Sequence, residues 1–171
     1  QNLALFDNLT TLQNLLLGLP KPQRAGLLDW RTARGQVEPT LKRLGIHFPI
    51  DVPVAELTVA ERWLISIARA LLHRARLIAM DEPTASLTER EVERLFTVIG
   101  MLKAHGCGII YISHRLEEVF AIADRITVLR DGETVETCER AGVDRAALIR
   151  MMVGRELSVV FPKRAVPLGE G

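Results

Sequence analysis

Two acidic residues, Asp81 and Glu82, stand side by side at the end of an apolar run in residues 77–96, LIAMDEPTASLTEREVERLF. A second apolar run, residues 109–112, ends at Ser113 and His114. Adjacent side chains at a strand end can point in different directions. One carboxylate can hold a hydrated Mg²⁺, which takes oxygen ligands and keeps several waters. The other can orient and deprotonate a water. A histidine on the neighbouring strand can donate to a phosphate oxygen. Together these groups suit phosphoryl transfer to water, where positioning and charge stabilisation do most of the work. The same residues also read as two solvated acids and a histidine capping a strand end. Pattern alone leaves both readings open.

The elements that must position these residues follow from periodicity and caps. Residues 77–80 are fully apolar, which predicts a short strand buried on both faces. Thr88-Glu89-Arg90-Glu91 fits a capping box. Its helix carries Val92, Leu95, Phe96, Ile99 and Leu102 at helical spacing and ends near Gly106. Residues 109–112 form a second strand, 116–123 a short helix and 126–129 a third strand. Asp131-Gly132 then turns into a hairpin strand, 134–137. Asp144 caps a last helix that stops before Gly154. Strands linked through helices are expected to lie parallel in an α/β core. Active groups in such sheets sit beyond the carboxyl ends of the strands. That topology puts Asp81, Glu82, Ser113 and His114 on one rim.

Upstream, Thr10-Thr11-Leu12-Gln13 and Thr58-Val59-Ala60-Glu61 are two further capping boxes. The first opens a short helix to Gly18. The second opens a helix to about His73, with Leu64, Ile67, Ala68 and Leu71 on one face. Between them lie Pro20, Pro22, Gly26, Pro39, Gly45, Pro49 and Pro53. This density of breakers predicts short helices separated by turns, one around residues 40–44.

Composition narrows the class. A chain of 171 residues suits one domain, with room for a subdomain. Apolar residues make up 48%, and the formal net charge of +1 gives no sign of a nucleic-acid-binding surface. No apolar run approaches the ~18–20 residues that span a bilayer. Cys107 and Cys138 have neither CxxC spacing nor a histidine pair nearby, and read as reduced thiols. His47, His73 and His105 read as surface or helix-end residues. Trp63 reads as core, and Trp30 as a candidate for exposure.

The wording of the motifs goes further. LIAMDEPTASL resembles the Walker B strand and following loop of the ATP-binding-cassette (ABC) ATPases. Gln1, in QNLALFDNLT, resembles the Q-loop. LTVAERWLISIARAL, from Leu57 to Leu71, resembles the family signature and its helix. ASLT, Ala85 to Thr88, sits at the D-loop, and YISHRLEEV places His114 at the H-loop. Five motifs in family order, covering residues 1 to about 164, make the resemblance specific. It implies an α/β P-loop NTPase fold of the ABC ATPase type. The expected parts are a helical subdomain with the Q-loop and signature helix at 1–74, the C-terminal part of a mainly parallel sheet core at 75–154, and a linker toward a second ATPase domain at 155–171. No GxxxxGK[ST] occurs in the sequence. The chain is therefore expected to be a fragment that begins at the Q-loop and lacks the P-loop strand.

The resemblance also implies roles and partners. Glu82 is the general base and His114 contacts the γ-phosphate. Asp81 and Gln1 hold Mg²⁺. Leu57, Thr58, Val59, Ala60 and Glu61 face the γ-phosphate of a nucleotide held mainly by another ATPase domain, with Ser86 and Leu87 of the D-loop beside it. The cofactors are ATP and Mg²⁺. The partners are a second ATPase domain (a tandem half or a homodimer-like pairing), transmembrane permease subunits and, indirectly, a sugar-binding protein, with no nucleic acid. The location is peripheral, on the cytoplasmic face of the membrane. Two positions depart from the common pattern. LSGGQ is here Leu57-Thr58-Val59-Ala60-Glu61, and the last D-loop residue is Thr88 rather than Asp. Both departures, and VGRELSVVFPKR at 153–164, resemble the first ATPase half of the simple-sugar (ribose, galactose, xylose) importers. The alternatives are a non-transport ABC protein acting in translation or DNA maintenance, and a truncated docking module without catalysis.

Overall fold

A computed structural model describes residues 5–154. The expectations for Gln1 and for the 155–171 linker lie outside the described residues. The chain divides into two compact units, Gln1–His114 and Arg115–Gly171.

The first unit opens with α1, Thr11–Leu16, whose capping box is formed as expected. The Gln13 N–H donates to Thr10 Oγ1 at 3.2 Å, and the Thr10 N–H donates to Gln13 Oε1 at 2.8 Å. A two-residue-per-strand hairpin follows, β1 (Gln23–Arg24) and β2 (Leu27–Leu28). Its turn, Ala25-Gly26, has φ of 53° and 79°, the left-handed pair that tight hairpins demand.

The next element departs from the expectation of short helices. Residues Trp30–Arg43 form one 14-residue helix, α2, with Pro39 inside it. Two local features explain why the proline does not end it. Asp29 caps the start by accepting from the Thr32 N–H at 3.1 Å. The residue four before Pro39, whose carbonyl the ring would crowd, is Gly35. Burial does the rest, since Ala33, Val37 and Leu41 recur every fourth residue and all are buried.

A single 3₁₀ turn, Val54–Glu56, leads to α3, Val59–Leu72. Trp63, Leu64, Ile65, Ile67 and Ala68 are buried along it. His73 ends the helix, and its Nε2 donates to Leu17 O at 2.9 Å. Trp30 is 46% exposed, in line with the sequence reading.

Strands β3 (Leu77–Asp81) and β4 (Gly108–Ile112) then pair in parallel, Leu77 opposite Gly108 and Asp81 opposite Ile112. They are joined by α4, Glu89–Ala104, which carries buried Leu95, Val98, Ile99 and Leu102. The Thr88 N–H and hydroxyl both donate to Glu91 Oε2 at 2.8 Å. His105 ends α4, its Nδ1 donating to Met101 O at 2.6 Å.

β3 is not buried on both faces, as its apolar run suggests, and β4 beside it is open on the same face. Met80 is buried, and Tyr111 on the same face meets Phe96 of α4 edge to face, centroids 6.4 Å apart. On the opposite face, Leu77 is 59%, Ile110 48% and Ile112 51% exposed. An apolar run records that both faces can be covered, and here α4 covers only one.

The second unit holds α5 (Leu116–Ile122), β5 (Arg125–Arg130), β6 (Glu133–Glu139) and α6 (Arg145–Val153). The expected parallel pairing holds for β3 and β4, and β5 pairs antiparallel with β6 in the expected hairpin. The Asp131-Gly132 turn, with φ of 53° and 83°, closes that hairpin. Ile126 and Val128 of β5 face Leu116 and Leu148 in a small core. Asp144 caps α6 by accepting from the Ala147 N–H at 2.6 Å, and Gly154 ends it at φ 73°. Cys107 and Cys138 are both free thiols.

Candidate functional site

The parallel pairing of β3 with β4 brings the expected rim residues together. The ladder runs one residue past Asp81, since the Glu82 N–H donates to Ile112 O at 2.9 Å. At that point the chain leaves the strand. Glu82 takes φ of 44°, a left-handed conformation that a residue with a Cβ adopts at a cost of about 1 kcal/mol. Its carboxylate meets His114, two residues past the end of β4. Glu82 Oε1 accepts from the His114 backbone N–H at 3.2 Å and lies 2.8 Å from His114 Nδ1. Glu82 is only 30% exposed at its side chain, while His114 is 75% exposed.

This contact fixes more than position. A carboxylate only accepts, so Nδ1 carries the proton. Donation from Nε2 to a phosphate oxygen then requires the imidazolium, or loss of the Glu82 contact.

Asp81 ends β3 with an exposed carboxylate. Among the described residues no three His, Cys, Asp or Glu side chains converge as a metal cage. A lone exposed carboxylate is still a suitable donor for Mg²⁺, which keeps most of its waters. The D-loop is a run of turns, Ala85 N–H to Glu82 O at 3.3 Å and Leu87 N–H to Thr84 O at 3.1 Å. It leaves Ser86 exposed and Leu87 half-buried, with Thr84 buried beneath them.

The second expected group forms the start of α3. Leu57 is buried, Thr58 and Val59 are exposed, and Ala60 and Glu61 are half-buried. The capping box is closed. Thr58 N–H and Oγ1 donate to Glu61 Oε2 at 2.8 and 3.0 Å, and the Glu61 N–H donates to Thr58 Oγ1 at 3.3 Å. The Thr58 donors therefore reach an outside anion only after the Glu61 carboxylate gives way.

Sequence reasoning missed two residues that hold this region in place. Asn14 is fully buried and makes four hydrogen bonds with the loop before α1. Arg62 on α3 bonds to Asp7, Ala55 and Leu57. The place of Asn14 directly after the Thr10–Gln13 capping box is legible in the sequence, but its burial is not. The Arg62 partners are two backbone carbonyls and an acid 55 positions away, and leave no pattern to read.

The ABC transporter family model matches residues 1–85. The chain is 48% identical over 171 residues to a ribose import ATP-binding protein, RbsA 2, of Rubrobacter xylanophilus, covering 99% of this chain and 33% of the relative. It is 42% identical over 170 residues to the RbsA of Bacillus subtilis, 99% and 34% covered. It is 44% identical over 171 residues to an arabinose import ATP-binding protein, AraG 2, of Burkholderia cenocepacia, 99% and 33% covered. The chain thus spans about a third of the length of these relatives. Among solved structures, a nucleotide-free ATP-binding cassette from an ABC transporter superposes with a TM-score of 0.69 at 22% identity, covering 87% of this chain and 64% of that one. An ATP-binding cassette in its ADP conformation gives 0.67 at 21% identity, covering 90% and 63%. These likenesses show the α/β P-loop NTPase fold of the ABC ATPases. With the motif order and near-complete alignment to the relatives, they establish that the chain belongs to the ABC transporter ATP-binding family.

Proposed function

We propose that the whole protein is the ATP-hydrolysing subunit of an ABC importer for simple sugars. The observation that carries the catalytic part is the contact of Glu82 with His114 across the ends of β3 and β4. In this reading Glu82 is the general base that takes the proton of the attacking water. His114 holds the Glu82 carboxylate by two N–H groups and, as the imidazolium, donates to the γ-phosphate from Nε2. Asp81, with Gln1, holds Mg²⁺, which when bound supplies charge neutralisation at the phosphates. The start of α3, Leu57 to Glu61, with Ser86 and Leu87, faces a nucleotide held by a second ATPase domain. A helix N-terminus suits that task through its N–H groups and partial positive charge.

The sugar class is supported by the names of the relatives, which are ribose and arabinose import ATP-binding proteins. Permease subunits and, through them, a sugar-binding protein are the implied partners, and the cytoplasmic face of the membrane is the implied location. Among the described residues no helix is long and apolar enough to cross a membrane. Residues 1–74 act as the helical subdomain, 75–154 as part of the ATPase core and 155–171 as the link to a second ATPase domain. The 171 residues contain no GxxxxGK[ST], the loop whose N–H groups and Lys cradle phosphates. By themselves they bind ATP weakly or not at all and do not turn it over.

The whole protein, reconstituted in vesicles with its co-purifying permease, tests the importer reading. ATP turnover that depends on Mg²⁺ and rises with the transported sugar is expected. Turnover indifferent to any sugar, in a protein that co-purifies with ribosomes or DNA instead, would reject it.

A further inference from the structure

We propose that Arg62 is a positioning residue that locks the first turn of α3 to the segment following Gln1, so that the two move as one body. The proposal rests on the ATPase reading above. Each nitrogen of the guanidinium has its own acceptor. Nε donates to Leu57 O at 3.2 Å, Nη2 to Ala55 O at 3.1 Å and Nη1 to Asp7 Oδ1 at 3.2 Å. The Arg62 side chain is 29% exposed, less than half the figure of 66% for Asp7. Only a planar fork of N–H groups satisfies three acceptors in three directions; a lysine ammonium is a point charge on a flexible stem.

The segments that Arg62 joins are already zipped by backbone hydrogen bonds. The Ala55 N–H donates to Asp7 O at 3.1 Å, Val54 to Leu9 O at 3.0 Å, Thr11 to Val52 O at 3.0 Å and Leu12 to Ile50 O at 2.8 Å. Asn14 fastens the same loop from below through Phe6, Leu9 and Thr10. Arg62 closes the last gap in this ladder, between residue 55 and the helix start.

The effect on the site passes through one peptide group. In a trans peptide the C=O and N–H point in opposite directions. With Leu57 O held by Arg62, the Thr58 N–H of the same peptide is aimed away from Arg62, at the place where Glu61 Oε2 now lies. Arg62 thus sets the direction of a donor that the second nucleotide would use, while touching no nucleotide itself. A shift of the loop that carries Asp7 would reach that donor through Arg62 without passing through the sheet.

The test uses the whole protein with Arg62→Ala, Arg62→Lys and Asp7→Asn, beside Glu82→Gln as the reference for lost chemistry. Steady-state turnover and equilibrium ATP binding are measured for each. Arg62→Ala and Arg62→Lys are expected to lower kcat about 10-fold, as a misaligned catalytic geometry does. ATP affinity should stay within about twofold, because the loss lies in the transition state and not in uniform binding. Asp7→Asn keeps the acceptor oxygen and loses only the charge, so a smaller fall in kcat is expected. Turnover of both Arg62 variants within about twofold of wild type, or kcat and affinity falling in equal measure, would overturn the proposal. If Arg62→Ala does not fold, Arg62→Lys decides by the same criteria. If Glu82→Gln leaves turnover intact, the ATPase reading falls and this proposal with it. If Glu82→Gln abolishes turnover and the Arg62 variants do not lower it, this proposal alone falls.

Discussion

Asn14→Asp changes one NH₂ group to an oxygen with almost no change of shape, so its cost comes from hydrogen bonding and charge rather than from packing. Asn14 is fully buried. Its Oδ1 accepts from the Phe6 N–H at 2.8 Å, and its Nδ2 donates toward Phe6 O, Leu9 O and Thr10 O at 3.0, 3.2 and 3.1 Å. A protonated aspartic acid keeps the acceptor and one donor hydrogen and loses the other, which costs about 0.5–1.5 kcal/mol at the net worth of a hydrogen bond. Ionised, it would also place a buried negative charge among three carbonyl oxygens. The folded protein avoids that by keeping the carboxyl protonated, so its folded pKa rises above the unfolded value of about 3.9. A rise of about two units adds ~2.7 kcal/mol at neutral pH. For a carboxyl with a raised folded pKa, the proton is held by the folded state and lost on unfolding. The penalty is therefore absent below the unfolded pKa and grows as pH rises through the folded one. Thermal or urea unfolding of wild type and variant side by side should show a deficit of roughly 3–5 kcal/mol at pH 7.5, smaller by about 1 kcal/mol at pH 5. A deficit under about 0.5 kcal/mol, or one independent of pH, would refute the claim that Asn14 holds this loop through its amide N–H groups.

Three further substitutions test other parts of the fold. Pro39→Ala restores an N–H for the Gly35 carbonyl within α2 and should stabilise the protein by about 1–3 kcal/mol in thermal melts. Ala25→Asn puts a residue that tolerates left-handed backbone at φ 53° in the β1–β2 turn, and should raise the melting temperature by the equivalent of about 0.5–1 kcal/mol. The Thr88 N–H, and then its hydroxyl, hold the Glu91 carboxyl below its usual pKa of 4.5. A lowered folded pKa means that the cap contributes above the unfolded pKa and is lost as pH falls through the folded one. Exchange of the first amides of α4, followed from about pH 5 down to pH 3, should therefore accelerate relative to the rest of the helix in wild type and lose that extra acceleration in Glu91→Gln.

What the sequence disclosed follows from how local each interaction is. The capping boxes at Thr10, Thr58 and Thr88 were legible because partner and cap lie three residues apart. The contact of Glu82 with His114 was half legible. Parallel strands place both residues on one rim, but the left-handed turn at Glu82 that brings its carboxylate to His114 leaves no mark in residue type. Helix α2 was hidden by Pro39, although Ala33, Val37 and Leu41 kept helical spacing through it. Burial outweighed the local signal there. The exposure of Leu77 was misread, because an apolar strand does not say which elements are present to cover it. The Arg62 interactions were invisible, since backbone carbonyls carry no side-chain signature.

Hydrolysis of pre-bound ATP by the whole protein in a single turnover, wild type against Glu82→Gln, shows whether Glu82 takes the proton of the attacking water. It separates chemistry from nucleotide binding and product release. Loss of a general base predicts a hydrolysis rate at least ~100-fold lower in Glu82→Gln, with ATP still bound. A single-turnover rate in Glu82→Gln close to that of wild type would contradict the assignment of Glu82, and with it the account of the β3–β4 rim as the catalytic site.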